Sequence, residues 1–105
     1  MKIDNLNWHD GNLLDFSYAM NSKGKAKLIL IFNLYKNYDS ERTLKVRVSC
    51  KKIKSFDINL DMDELKDNML AGHIANGYIK DNCLWIYFMD GLIKIIADKF
   101  VASKC

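Results

Sequence analysis

The first string in which residue types could do chemistry is Trp8-His9-Asp10-Gly11. A carboxylate beside an imidazole can orient the ring for general-base work. Neighbouring side chains in a strand point to opposite faces, however, and Asp10-Gly11 is an ordinary turn dipeptide. Nothing nearby supplies a nucleophile, so the string reads as a turn, with a small hydrolase built on His9 and Asp10 as the enzyme alternative. The other histidine, His73, is expected just past a helix end, where a protonated ring suits the helix dipole. Two histidines and a carboxylate have metal-binding chemistry but show no ligand spacing here. Cys50, Cys83 and Cys105 are odd in number, separated by 33 and 22 residues, and form no C-x-x-C pair. They read as free thiols and not as a disulfide or zinc framework. Phosphate-cradling glycine loops and a G-x-S-x-G elbow are absent from the sequence. The expectation is a non-enzyme with no metal and no cofactor.

Charge is segregated along the chain. Residues 42–54 hold Arg42, Lys45, Arg47, Lys51, Lys52 and Lys54 with no acid, a local charge of +6. Residues 57–68 hold Asp57, Asp61, Asp63, Glu64 and Asp67 against Lys66, a local charge of −4. Adjacent blocks of opposite sign can steer a charged partner and fix its orientation. The basic block can also meet phosphates, although no aromatics interleave it for base stacking. A third feature is Trp85, Tyr87, Met89 and Ile96, an aromatic and apolar face that is either interface or covered core.

The elements that must position these groups are mostly strands. Leu14, Phe16, Tyr18 and Met20 share one parity, which predicts a half-buried strand, and Asn21-Ser22-Lys23-Gly24 supplies turn chemistry after it. Residues 26–35 are apolar on both parities and predict a central strand covered on both faces. Residues 36–41 form a polar loop. Leu44, Val46, Val48 and Cys50 alternate with polar residues, and 53–60 predict a further strand with Phe56, Ile58 and Leu60 inward. Asp61 can cap a short helix over about 62–70, with Asp63 and Glu64 in its first turn and Met62, Leu65 and Met69 at helical spacing. Residues 73–80 predict a strand with a bend or bulge at Asn76-Gly77. Asp90-Gly91 suits a two-residue type I′ hairpin that pairs Phe88 with Ile93, Tyr87 with Lys94 and Trp85 with Ile96. The expected fold is mainly β: about seven antiparallel strands in a β-sandwich or strongly curved sheet, with one short α-helix.

The chain is 105 residues long with a net charge of +3, 50% hydrophobic and 28% charged, which predicts one globular domain over 1–105. No apolar run approaches the roughly 18–20 residues that span a bilayer, so no membrane partner is expected. The N-terminal Met1-Lys2-Ile3-Asp4-Asn5 lacks the apolar segment of a signal peptide, which predicts a cytoplasmic protein.

Five strings together resemble small all-β bacterial immunity proteins of polymorphic and contact-dependent growth-inhibition toxin systems. They are Trp8-His9-Asp10-Gly11, Leu28-Ile29-Leu30 running to Tyr35, Leu44-Lys45-Val46, Ala71-Gly72-His73-Ile74, and Leu84-Trp85-Ile86-Tyr87 leading to Asp90-Gly91. The resemblance implies a non-catalytic cytosolic protein that binds a cognate toxin domain and covers its active site. Asp61, Asp63, Glu64 and Asp67 are then the expected electrostatic contacts to a basic cleft, with Trp85 and Tyr87 as aromatic anchors. The alternative is a nucleic-acid-binding β module using the basic 42–54 segment. A homodimer through an open sheet edge is a further association the pattern permits.

Overall fold

The computed structural model describes residues 1–37, 39–63, 73–89 and 91–105. After a 3-10 turn at Ile3–Asn5 come six strands: β1 (Asn12–Met20), β2 (Ala26–Tyr35), β3 (Thr43–Leu60), β4 (Ile74–Lys80), β5 (Cys83–Phe88) and β6 (Gly91–Lys104). All pair antiparallel in one sheet of order β1-β2-β3-β6-β5-β4. Six described strands replace the seven expected because the two segments at 44–50 and 53–60 are one strand. Lys52 takes a left-handed φ of 53° and the register with β6 shifts between Ile53 and Ser55, so the alternation of β3 breaks at Ile53 and resumes at Phe56 without the strand ending. The two outermost strands meet at one end through an isolated Asn12–His73 bridge.

Leu28, Leu30, Phe32 and Leu34 on β2, Val46 and Val48 on β3, and Ile93, Ile95 and Ala97 on β6 are buried on one side of the sheet. Leu84 and Ile86 on β5, Ile74 on β4 and the Trp8 ring complete this core. The expectation that β2 is covered on both faces is corrected: its other side, with Ile29, Ile31 and Tyr35, is half-buried. The larger correction concerns β1. Phe16 and Tyr18 do lie on the core side, opposite Leu30 and Leu28, yet Leu14, Phe16, Tyr18 and Met20 are 45–58% exposed. Alternation fixes which way a side chain points; depth requires neighbours on both flanks, and among the described strands β1 is paired on one flank only.

The turn after β1 forms as its residues dictate. Asn21 Oδ1 accepts from the backbone N–H of Lys23 and Lys25, and Gly24 takes a φ of 75°. The last hairpin is corrected by two residues: Phe88 pairs with Gly91, Tyr87 with Leu92 and Trp85 with Lys94. Gly91 therefore belongs to the strand and not to the turn. A Cβ there would collide with the Asn59 carbonyl oxygen of the adjoining β3, so close approach is what this glycine serves. A shift of two preserves parity, and every side chain keeps its expected face. β4 does carry an irregularity, but it precedes the expected Asn76-Gly77: the register shifts between Ile74 and Asn76, and Asn76 and Gly77 pair regularly with Tyr87 and Ile86. Gly77 admits the Trp8 ring, whose Cγ would lie 2.7 Å from a Cβ at that position. Trp8 in turn meets Phe32 edge-on at 5.1 Å. Of the expected helix, Met62 and Asp63 are described and helical; the rest of 62–70, including Glu64, lies outside the described residues. Burial pushes the Cys50 thiol up to about 12, so it stays protonated and inert in the core.

Candidate functional site

The strongest assembly of exposed side chains stands on the side of the sheet opposite the core. Because Leu84, Ile86 and Phe88 point inward, Trp85 and Tyr87 must point outward. Pairing adds Tyr78 from β4 and Lys94 from β6 on either side of Trp85, and Asp57 of β3 stands opposite Lys94. Asn76, Tyr87, Leu92 and Asn59 form the next row. The Trp85 and Tyr87 rings are 6.3 Å apart and 6° from parallel, and Tyr78 stacks near both at 6.3 and 6.1 Å. Lys94 Nζ lies 4.7 Å from the Trp85 ring centroid, a cation–π distance. Tyr78 and Tyr87 are 43% and 37% exposed, so the rings present a wet amphipathic surface. Their hydroxyls lie 3.4 Å apart, and this contact holds the Tyr78 phenol above its ordinary value of 10.

Acids adjoin this surface at the end of β3. Leu60 pairs with Gly91, so Asp61 emerges beside the β5–β6 turn. Its Oδ1 accepts from the Asp63 N–H at 3.0 Å, the N-capping role expected of it. The structure thus brings Asp61 and Asp63 to the same end of the sheet as Trp85 and Tyr87. Glu64 and Asp67 lie outside the described residues. The sequence places Lys94 on this face but opposite Tyr87, and the observed register moves it opposite Trp85. Tyr78 is the member it does not reveal, because that residue shows only the alternation of an ordinary strand.

A second polar cluster forms where β1 and β4 meet, and it corrects the expectation that His9 and Asp10 diverge. Asp10 takes a φ of 63° in a turn closed by Gly11 N–H donating to Trp8 O at 3.1 Å. That turn folds the neighbouring side chains together: His9 Nε2 is 3.3 Å from Asp10 Oδ2. His73 Nε2 comes from the opposite end of the sheet to 3.0 Å from Asp10 Oδ1. His9 Nδ1 is 3.1 Å from the Ala75 carbonyl, to which it donates. Asp10 N–H donates to Ile74 O at 3.0 Å and Ile74 N–H to Gly11 O at 2.7 Å, so the cluster sits on a backbone seam. Beside it is an open depression lined by His9, Asp10, Tyr35, Ser40 and Glu41. Ser40 Oγ there accepts from the Arg42 N–H at 3.0 Å. An imidazole oriented by a carboxylate has acid–base chemistry, but here the carboxylate joins rings from the two ends of the sheet.

The basic residues occupy a third region. Val46, Val48 and Cys50 point inward, which turns Lys45, Arg47 and Lys51 outward, and Lys51 lies directly opposite Lys99. No described carboxylate forms an ion pair with any of these four. No family model matches the chain, and neither a curated protein nor a solved structure matches it significantly.

Proposed function

We propose that this chain is a non-catalytic cytoplasmic binding protein of the immunity type, which neutralises a toxin domain by docking over its active site. The observation that carries the reading is the row Tyr78–Trp85–Tyr87, which no other described element covers and which stands on paired strands of the sheet. Flat aromatics with polar handles bury large area at low conformational cost, the profile of interface anchors. Asp57, Asp61 and Asp63 beside the row favour a basic protein cleft over a phosphate backbone, which like charge would repel. The bridge between the outermost strands supports a strongly curved sheet with this row on its outer side.

The test is binding to a toxin domain encoded in the neighbouring reading frame, followed by calorimetry. Trp85→Ala should weaken the complex by about 2 kcal/mol, near 30-fold in Kd. Charge reversal at Asp61 and Asp63 should slow association and flatten its salt dependence. Full affinity in all three variants would remove this surface from consideration.

One observation favours a second reading, nucleic-acid binding through 42–54. Lys51 and Lys99 oppose each other across the β3–β6 ladder, an arrangement that costs stability unless an anion compensates. A mobility shift with single- and double-stranded RNA and DNA, weakening steeply as salt rises, would support it.

A further inference from the structure

We infer that the free edge of β1 is where a second copy of this chain docks, extending the sheet across a two-fold axis at Ser17. The inference is independent of the aromatic surface. Among the described residues, β1 pairs from Asp15 to Met20 with β2 alone, and its other edge carries only the Asn12–His73 bridge, on the far side of the register shift between Leu13 and Asp15. An open edge offers unpaired N–H and C=O groups, and proteins blunt such edges with charge, proline or cover. None of these stands on the core side of this edge among the described residues. The sequence contains no proline, and Phe16, Tyr18 and Met20 point inward at half exposure beside Leu14. Tyr18 also touches Phe56 at 5.5 Å between ring centroids, joining a fifth exposed apolar side chain to the patch.

Area and pattern select a second copy as the occupant. At about 200 Å² for a side chain of this size, five of them exposed by 36–58% offer about 450–500 Å² per copy. Covering all of it in two copies buries about 1,000 Å², which with the paired backbone edge reaches the threshold for a specific interface. The strand is also self-complementary. With the axis at Ser17, Phe16 faces the partner's Tyr18, Leu14 faces the partner's Met20, and Asp15 faces the partner's Ala19. Apolar groups meet apolar groups, and the two Asp15 carboxylates stay apart. The pairing uses 14–20 alone and leaves the seam at Asn12 intact.

The register makes the inference testable by cross-linking. In a Cys105→Ser background, Ser17→Cys places two thiols on directly opposed residues, whose Cα atoms are about 4.5–5.5 Å apart and within disulfide reach. Copper-phenanthroline oxidation should convert most of this variant to a covalent dimer. Ala19→Cys, four residues out of register with itself, should stay monomeric under the same treatment. By sedimentation equilibrium the unmodified chain should be dimeric at micromolar concentrations. Phe16→Lys, at a position 45% exposed, should raise the dimer dissociation constant at least tenfold with the circular-dichroism spectrum of the fold retained, and Trp85→Ala should leave it unchanged. A monomeric wild-type chain, equal cross-linking at 17 and 19, or a dimer indifferent to Phe16→Lys would each overturn it.

Discussion

The seam at His9, Asp10 and His73 and the outer row of Tyr78, Trp85 and Tyr87 invert what their residue types advertise. The seam holds the residues most associated with catalysis, yet the hydrogen bonds of Asp10 and His9 run to residues 73–75 and tie one end of the sheet to the other. The outer row holds residues most often found in cores, yet its tyrosines stand in water and its rings cover no other described element. Polar groups at a junction are drawn into satisfying backbone and one another, because an unpaired polar group is costly wherever water is partly excluded. Aromatics on a finished outer face have no such obligation and remain available to a partner.

The comparison is broken most forcefully at Trp8, which lies under the seam. Trp8→Ala should cost about 3–5 kcal/mol in chemical denaturation, because it empties the space that Gly77 provides and removes the contact with Phe32. A loss below about 1 kcal/mol would mean the seam does not depend on this ring. Next in size is Trp85→Ala, with its roughly 30-fold loss of partner affinity and a stability change within about 1 kcal/mol. Equal damage to stability and binding would make the row a structural element like the seam.

Asp10→Asn sharpens the same contrast from the other side. Asn tolerates the left-handed backbone of this turn, so the change isolates the charge. Asp10 is half exposed, and screening limits the expected cost to about 0.5–1 kcal/mol with partner binding unaltered. Lost binding at full stability would transfer the function to the seam. The smallest effect is in the ultraviolet pH titration of the tyrosines. Tyr78 should ionise above 10, later than an isolated phenol, and Tyr87→Phe should bring it back toward 10. The folded value is raised, so whatever this hydroxyl pair adds to stability is present below pH 10 and fades as pH climbs through the shifted value. An unshifted Tyr78 would show that the two hydroxyls do not meet in solution.

The sequence spoke clearly about direction and poorly about neighbours. Alternation gave the inward Val46, Val48, Ile93 and Ile95, and the outward Trp85 and Tyr87, correctly, but on β2, apolar on both parities, it did not separate the buried Leu28 and Leu30 from the half-buried Ile29 and Ile31. Asp61 announced its cap and Asn21 its turn through purely local chemistry. Gly91 misled, because a glycine before an apolar run fits both a turn and a crowded strand, and the crowding comes from Asn59 more than thirty residues away. Half of the aromatic row was visible in the i, i+2 spacing of Trp85 and Tyr87. The other half needed the pairing of β4 and β6 around β5.

What the residues determined by themselves is what local physics reaches: strand parity, turns, the helix cap and the segregation of charge. Each depends on side chains a few positions apart, where spacing along the chain is spacing in space. Only the tertiary structure decided that His73 reaches Asp10, that Tyr78 and Lys94 flank Trp85, and that the apolar side of β1 is left at an edge. Those outcomes turn on the order of strands in the sheet, a choice made by closing long loops over a shared core, and no window of sequence contains both partners.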